Sequence, residues 1–240
     1  LLRGAHSLVR LSPRNVSLSE ARALWHSGWP LLVAALAFSI PVSGATLLAR
    51  WLSGSSQAAL YGLAAQVLQA YIMLAGLAHQ LLQPHVAGPY GLTRMFILKL
   101  AFFYAVYLGG LTLAAALGSY LLIRWLLPQE YLGAIWPCWV MAGAGLIVGM
   151  GTALNNYLLV DHYERRITIS YLFGCGVFLL GGMTLGPRFG ALGQSLAILL
   201  GCLGLSAANM VWLVAARRAV SASCPLTPIA PTSLGHPPRI

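Results

Sequence analysis

Apolar residues run along the chain in six long blocks, at 29–50, 58–83, 95–123, 131–159, 167–186 and 191–215, with polar and charged residues gathered in the intervals. A helix needs about 20 residues, at about 1.5 Å rise each, to cross the hydrocarbon of a bilayer. Each block therefore predicts one transmembrane helix; the third and fourth are long enough to tilt or to extend past the headgroups. The connections Leu52–Gln57, Pro84–Arg94, Arg124–Glu130, Val160–Arg166 and Pro187–Gly190 are short. Short connections predict antiparallel neighbours in an up–down bundle. The expected fold is all-α: a polytopic membrane protein whose 29–216 region forms about six transmembrane helices. A basic lead over 1–28 precedes it, and a Pro- and Ser-rich tail over 217–240, expected to be disordered, follows. In the lead, Ser17 and Glu20 have capping-box spacing ahead of Leu18, Ala21, Leu24 and Trp25. That pattern predicts a short amphipathic helix at the membrane surface, with Trp25 and Trp29 at headgroup level.

Polar positions inside the blocks are themselves periodic. Ser39, Ser43, Thr46 and Arg50 recur at steps of three and four and share one face of the first helix. Gly62, Gln66, Gln69, Met73, Gly76, Gln80 and Gln83 do the same in the second. An amide left unpaired in hydrocarbon costs about 2–7 kcal/mol, so these glutamines are expected to meet other helices or water. Two polar faces on neighbouring helices suggest a shared hydrated cavity; hydrogen bonding between helices is the structural alternative. The fourth block carries Gly145 and Gly149, spaced for close helix approach, and Asn155 and Asn156, which either line the cytoplasmic mouth or cap the helix. Gly190, Gly193, Ala197, Gly201, Gly204 and Ala208 form a small-residue stripe read most simply as packing. Pro30, Pro41 and Pro137 permit kinks.

Composition agrees with lipid as the solvent. Hydrophobic residues make up 59% of the chain and charged residues 8%, against about a quarter charged in soluble domains. The formal net charge of +10 comes from basic residues scattered singly between apolar runs, without the basic stripe that nucleic acid requires. They serve instead as topology signals. With the N-terminus inside, the cytoplasmic side holds Arg3, Arg10, Arg14, Arg22, Arg94, Lys99, Arg165, Arg166, Arg217, Arg218 and Arg239, and the outer side only Arg50, Arg124 and Arg188. Both termini are therefore expected on the cytoplasmic side.

Chemistry-bearing patterns are sparse. No GxSxG, HExxH, P-loop or GxGxxG occurs. The four acids, Glu20, Glu130, Asp161 and Glu164, lie at block ends or in connections, which argues against a carboxylate-driven proton pump within this segment. Cys138, Cys175, Cys202 and Cys224 match no zinc or CxxC spacing. No enzyme activity, cofactor or metal is expected. Arg50 is the leading candidate for an anionic substrate, because its planar guanidinium offers a fork of donors to phosphate; the plainer role is an interfacial anchor beside Trp51.

Several short motifs occur in a telling order. Gly28-Trp29-Pro30-Leu31-Leu32 opens the first block, and Ala59-Leu60-Tyr61-Gly62-Leu63-Ala64 opens the second, which closes at Gln83-Pro84-His85-Val86-Ala87. Leu126-Leu127-Pro128-Gln129-Glu130-Tyr131 and Gly186-Pro187-Arg188-Phe189-Gly190-Ala191-Leu192-Gly193 follow. Over about residues 25–218 this order resembles the polysaccharide and O-antigen exporters of the multidrug/oligosaccharidyl-lipid/polysaccharide superfamily, in particular their C-terminal half. The resemblance implies one lobe of a two-lobed, MATE-like transporter in the bacterial cytoplasmic membrane. Such a transporter moves a lipid-linked oligosaccharide outward by alternating access. It implies a partner too, either an N-terminal lobe or a second copy, and the chain is expected to be a piece of a longer protein. The candidate cavity residues on this reading are Arg50, Ser43, Thr46, Gln66, Gln69, Asn155 and Asn156. A drug/cation antiporter, a lipid II flippase, a membrane-embedded transferase built on Asp161, His162 and Glu164, and a non-transporting half are the alternatives.

Overall fold

The computed structural model describes residues 18–86, 94–160 and 164–223, with the side chains of 18–21, 23–24, 27, 82–86, 94–98, 100–101, 153–160, 164 and 216–223 outside the description. The lead before Leu18, the connections 87–93 and 161–163 and the tail beyond Ser223 lie outside the described residues, as do the side chains of Gln83 and His85. The described residues are helical throughout, with no strand: α1 (Leu18–Ser39), a π turn (Ile40–Gly44), α2 (Ala45–Val86), α3 (Arg94–Leu126), a 3-10 turn (Gln129–Ala134), α4 (Ile135–Val160) and α5 (Glu164–Ser223). Four stretches are long and apolar enough to cross a membrane: Gly28–Leu81, Phe102–Leu126, Gln129–Thr152 and Arg165–Ala215.

Local chemistry explains the interruptions. Pro41 has no N–H to continue the i→i−4 ladder, and the backbone passes it in π register over Ile40–Gly44. Pro128, with ψ 154°, ends the run after α3, and the Tyr131 N–H bonds to its carbonyl at 3.0 Å to start the 3-10 turn. Pro137 falls in the first turn of α4, where amides have no helical partner and proline costs little. Inside α2, Gly54 has φ 88° and ψ 173°; inside α5, Gly190 has φ 56° and ψ −129°. Each is a left-handed or extended-left position that only glycine takes without strain, and each joins two helices across a kink. The segment predicted as a separate surface helix runs on unbroken into the first apolar block, since α1 begins at Leu18.

Across both kinks the limbs fold back. Pro41 and Leu68, on opposite sides of Gly54, line one small apolar pocket of about 30 Å3. A Cβ on Gly181 would come within 3.2 Å of Ala197, and one on Gly174 within 2.9 Å of the Gly201 carbonyl oxygen. The Gly193–Gly204 stripe is therefore the contact between the limbs of α5. α4 occupies the middle and packs on α5, α2 and α3, while α1 lies against α5. Thr168 donates to the Pro30 carbonyl at 2.7 Å and Phe38 meets Tyr171 edge-on at 5.8 Å, tying α1 to α5.

The interior is built from small residues around a few large ones. Ala45, Ala49, Ala58, Ala64 and Ala144 are buried beside Tyr61, Leu68, Met141, Phe178 and Ile198. The large apolar side chains face outward instead, with Leu47, Trp51, Phe103, Leu113, Trp125, Leu180 and Val211 all exposed. This inversion suits lipid, where helices gain by close approach rather than by hiding leucine from water. Tyrosines on facing helices supply the hydrogen bonds. Tyr71 donates to the Leu108 carbonyl (3.0 Å), Tyr104 to Gly149 (3.0 Å) and Tyr107 to Leu74 (3.0 Å). Tyr104→Phe removes one such bond and is expected to lower stability by about 1 kcal/mol, read as a small drop in the thermal midpoint of the detergent-solubilised protein.

Candidate functional site

The second limb of α2, residues 55–86, has two opposed faces. Ala58, Tyr61, Ala64, Ala65, Leu68, Tyr71 and Ala75 are buried and recur at helical spacing, the first five in a core shared with α4 and α5, and Tyr71 and Ala75 beside Leu108 of α3. Gln66, Gln69, Met73, Leu77 and Gln80, offset by half a turn, are exposed. The glutamine stripe thus points away from the packed interior, and among the described residues no side-chain hydrogen bond covers Gln66 or Gln69. Ser43, in the π turn, and Arg50, on the first limb, are exposed, and Thr46 is half-buried. Ser39 spends its hydroxyl on its own helix, donating to Ala35 at 2.8 Å. Asn155 and Asn156 lie on the last turns of α4, with side chains outside the described ones.

A cleft of about 410 Å3 opens between the second limb of α2 and α3, with Cys138 of α4 also on its wall. Its sides are Leu63, Val67, Leu74, Leu111, Leu122 and Ile123, separated by the small residues Ala70, Ala114, Ala115 and Gly118. Polar groups are few: Gln66, Ser119 and Tyr71. Ser119 donates to Ala116 at 3.0 Å, and the Tyr71 hydroxyl is engaged by Leu108 and lies 3.2 Å from Thr112 Oγ1. Gln66 is therefore the polar group with spare hydrogen-bonding capacity on this wall. Of the predicted site residues, the structure brings Gln66 to the cleft; Arg50, Ser43, Thr46 and Gln69 do not line it.

Tyr71, Ser119 and α3 also form the cleft wall, though the polar pattern of the sequence does not mark them. Tyr71 had a signal: Tyr61, Ala64, Leu68, Tyr71 and Ala75 repeat at steps of three and four opposite the glutamines. Two small-residue positions tighten the same region. A Cβ on Gly145 would stand 2.6 Å from the Tyr71 ring, and one on Gly149 would stand 2.9 Å from Leu108. Chemically, such a cleft accepts a flexible apolar chain and offers one amide to a polar group on it. Among the described residues no cluster of three or more His, Cys, Asp or Glu side chains exists that would hold a metal ion. No protein-family model, no curated protein and no solved structure matches the sequence.

Proposed function

We propose that the chain is one lobe of a MATE-like membrane transporter that flips a lipid-linked oligosaccharide across the bacterial cytoplasmic membrane. The observation that carries the reading is the outward glutamine stripe, Gln66, Gln69 and Gln80, on the side of α2 opposite its packed face. Bare amides facing lipid along a whole helix would cost several kcal/mol, about 2–7 each. A second lobe, in the same polypeptide or as a second copy, removes that cost by enclosing the stripe in a hydrated passage. Six crossings go with this proposal. A straight helix of 54 residues would be about 80 Å long, against about 30 Å of hydrocarbon, and the breaks at Gly54 and Gly190 divide each of the two longest stretches into two spans. An even number of crossings and the distribution of arginines support both termini on the cytoplasmic side.

Chemistry at two places supports this cargo. An apolar cleft beside Gln66 suits a long hydrocarbon tail. Exposed Arg50, at the end of the Ser43–Thr46 face, offers the guanidinium fork that a diphosphate would take. Alternating access of two lobes would expose this face to each side of the membrane in turn. Deleting the gene is expected to strand lipid-linked oligosaccharide on the inner leaflet, scored by its accessibility to an impermeant glycosidase in right-side-out and inverted vesicles. Restoring the gene with Arg50→Ala should leave outward movement at least tenfold slow, while Arg50→Lys recovers part of it. An unchanged leaflet distribution on deletion would sink the flippase reading.

A further inference from the structure

The two glycine breaks lie against each other. Ser53, one residue before Gly54, donates to the Gly186 carbonyl at 2.9 Å. Gln57, three residues after it, accepts the Ala191 N–H through Oε1 at 3.0 Å. Ala191 is the first residue of the helix that starts beyond Gly190, so its amide has no acceptor in its own helix, and it is buried. The Gln57 amide reaches it through space that a side chain at position 190 would fill, since a Cβ on Gly190 would collide with Gln57 Oε1. Gly190 is thus doubly specified, by its positive φ and by the incoming glutamine.

We propose that Ser53 and Gln57 form a latch that joins the α2 kink to the α5 kink, so that the four helical limbs meeting there move as one body. Two bonds from one hairpin grip the other on both sides of its turn, one at a carbonyl before Gly190 and one at an N–H after it. Neither kink can open while the other stays shut. α3 is not one of the four limbs: it packs chiefly on α4 and is tied to α2 by the Tyr71 and Tyr107 hydrogen bonds. The latch would act whatever the cargo.

Hydrogen exchange of the full chain in lipid nanodiscs, followed by mass spectrometry, tests the latch. Gln57→Leu removes the acceptor and should speed exchange in 187–192 at least tenfold, with 135–152 unchanged. Gln57→Glu keeps an acceptor oxygen and should stay near wild type. Ser53→Ala is the decisive variant, because it leaves the Gln57–Ala191 bond intact. A latch predicts that exchange in 187–192 still rises, about threefold. The latch is overturned if Ser53→Ala leaves that segment at the wild-type rate, which would make Gln57 a local cap only, or if Gln57→Leu changes nothing there. If Gln57→Leu also deprotects 135–152, the variant has lost its fold, and the result for Ser53→Ala decides.

Discussion

Gly193→Ala is expected to cost the protein most of its folded yield. A methyl at this position lands on the carbonyl oxygen of Leu185 and lies within 2.6 Å of that carbonyl carbon and 3.1 Å of the Gly186 nitrogen. Those atoms are backbone, on the other limb of α5, and cannot rotate away as a side chain would. The limbs must move apart just next to the turn where they are joined, and the displacement spreads down the interface that Gly181, Ala197, Gly174 and Gly201 form. Overpacking of a tight core usually costs about 1–3 kcal/mol; a backbone obstacle puts this case at or above the upper end. For a chain of this size that is a fall of about 6–12 °C in the thermal midpoint, measured at a fixed scan rate in detergent. Gly62→Ala is the control, because a Cβ there meets nothing within 4 Å. It exchanges a poor helix former for a good one, worth about 1 kcal/mol, and should leave the midpoint equal or higher. Equal midpoints for Gly193→Ala and the wild type would mean that the limbs do not approach as closely as described.

The contrast between these two glycines marks where the sequence is informative. An apolar block longer than a bilayer is thick needs only hydropathy to be seen, and the helical character of the chain is plain from it. Breaks are legible where chemistry demands them. Gly54 falls in the connection expected at Leu52–Gln57, and Gly190 in the one expected at Pro187–Gly190. The polar stripe of α2 is legible as a stripe, because a period of three and four fixes which residues share a face. Its direction is not, since facing inward and facing outward have the same period; only the packing of Tyr61, Leu68 and Tyr71 decides that. Partners across helices are hidden for the same reason. Gln57 reads as a residue in a connection, and nothing near it in sequence announces an amide donor at Ala191, 134 positions away. Ser39 and Ser43 look alike in the pattern, yet one hydroxyl is already satisfied by its own backbone. The small-residue stripe shows that a helix is approached closely but leaves open by what, and Gly62 and Gly193 differ in just that.

Gly145→Ala carries the second large effect, and it links packing to the cleft. The added methyl would stand 2.6 Å from Tyr71 Cγ and 2.7 Å from Cδ1. The ring cannot retreat freely, because its hydroxyl donates to the Leu108 carbonyl and lies beside Thr112 on α3. It can yield only by breaking that tie to α3 or by tilting into the cleft whose wall it forms. The first response loses a buried hydrogen bond, about 1–3 kcal/mol with the donor left unpaired; the second fills space beside Gln66. Either way the substitution should destabilise by about 2–3 kcal/mol. A double-mutant cycle separates this from a simple effect on α4. Tyr71→Leu alone should also destabilise, by removing a ring from the interior, but in its background Gly145→Ala should be nearly silent. The expected coupling is about 1.5 kcal/mol or more, in the range found for residues in contact. Additive midpoint shifts would show that the ring and the glycine do not press on each other. If they do, the position of Tyr71, and with it the width of the cleft beside Gln66, is set from the far side of the ring by the absence of a single methyl group.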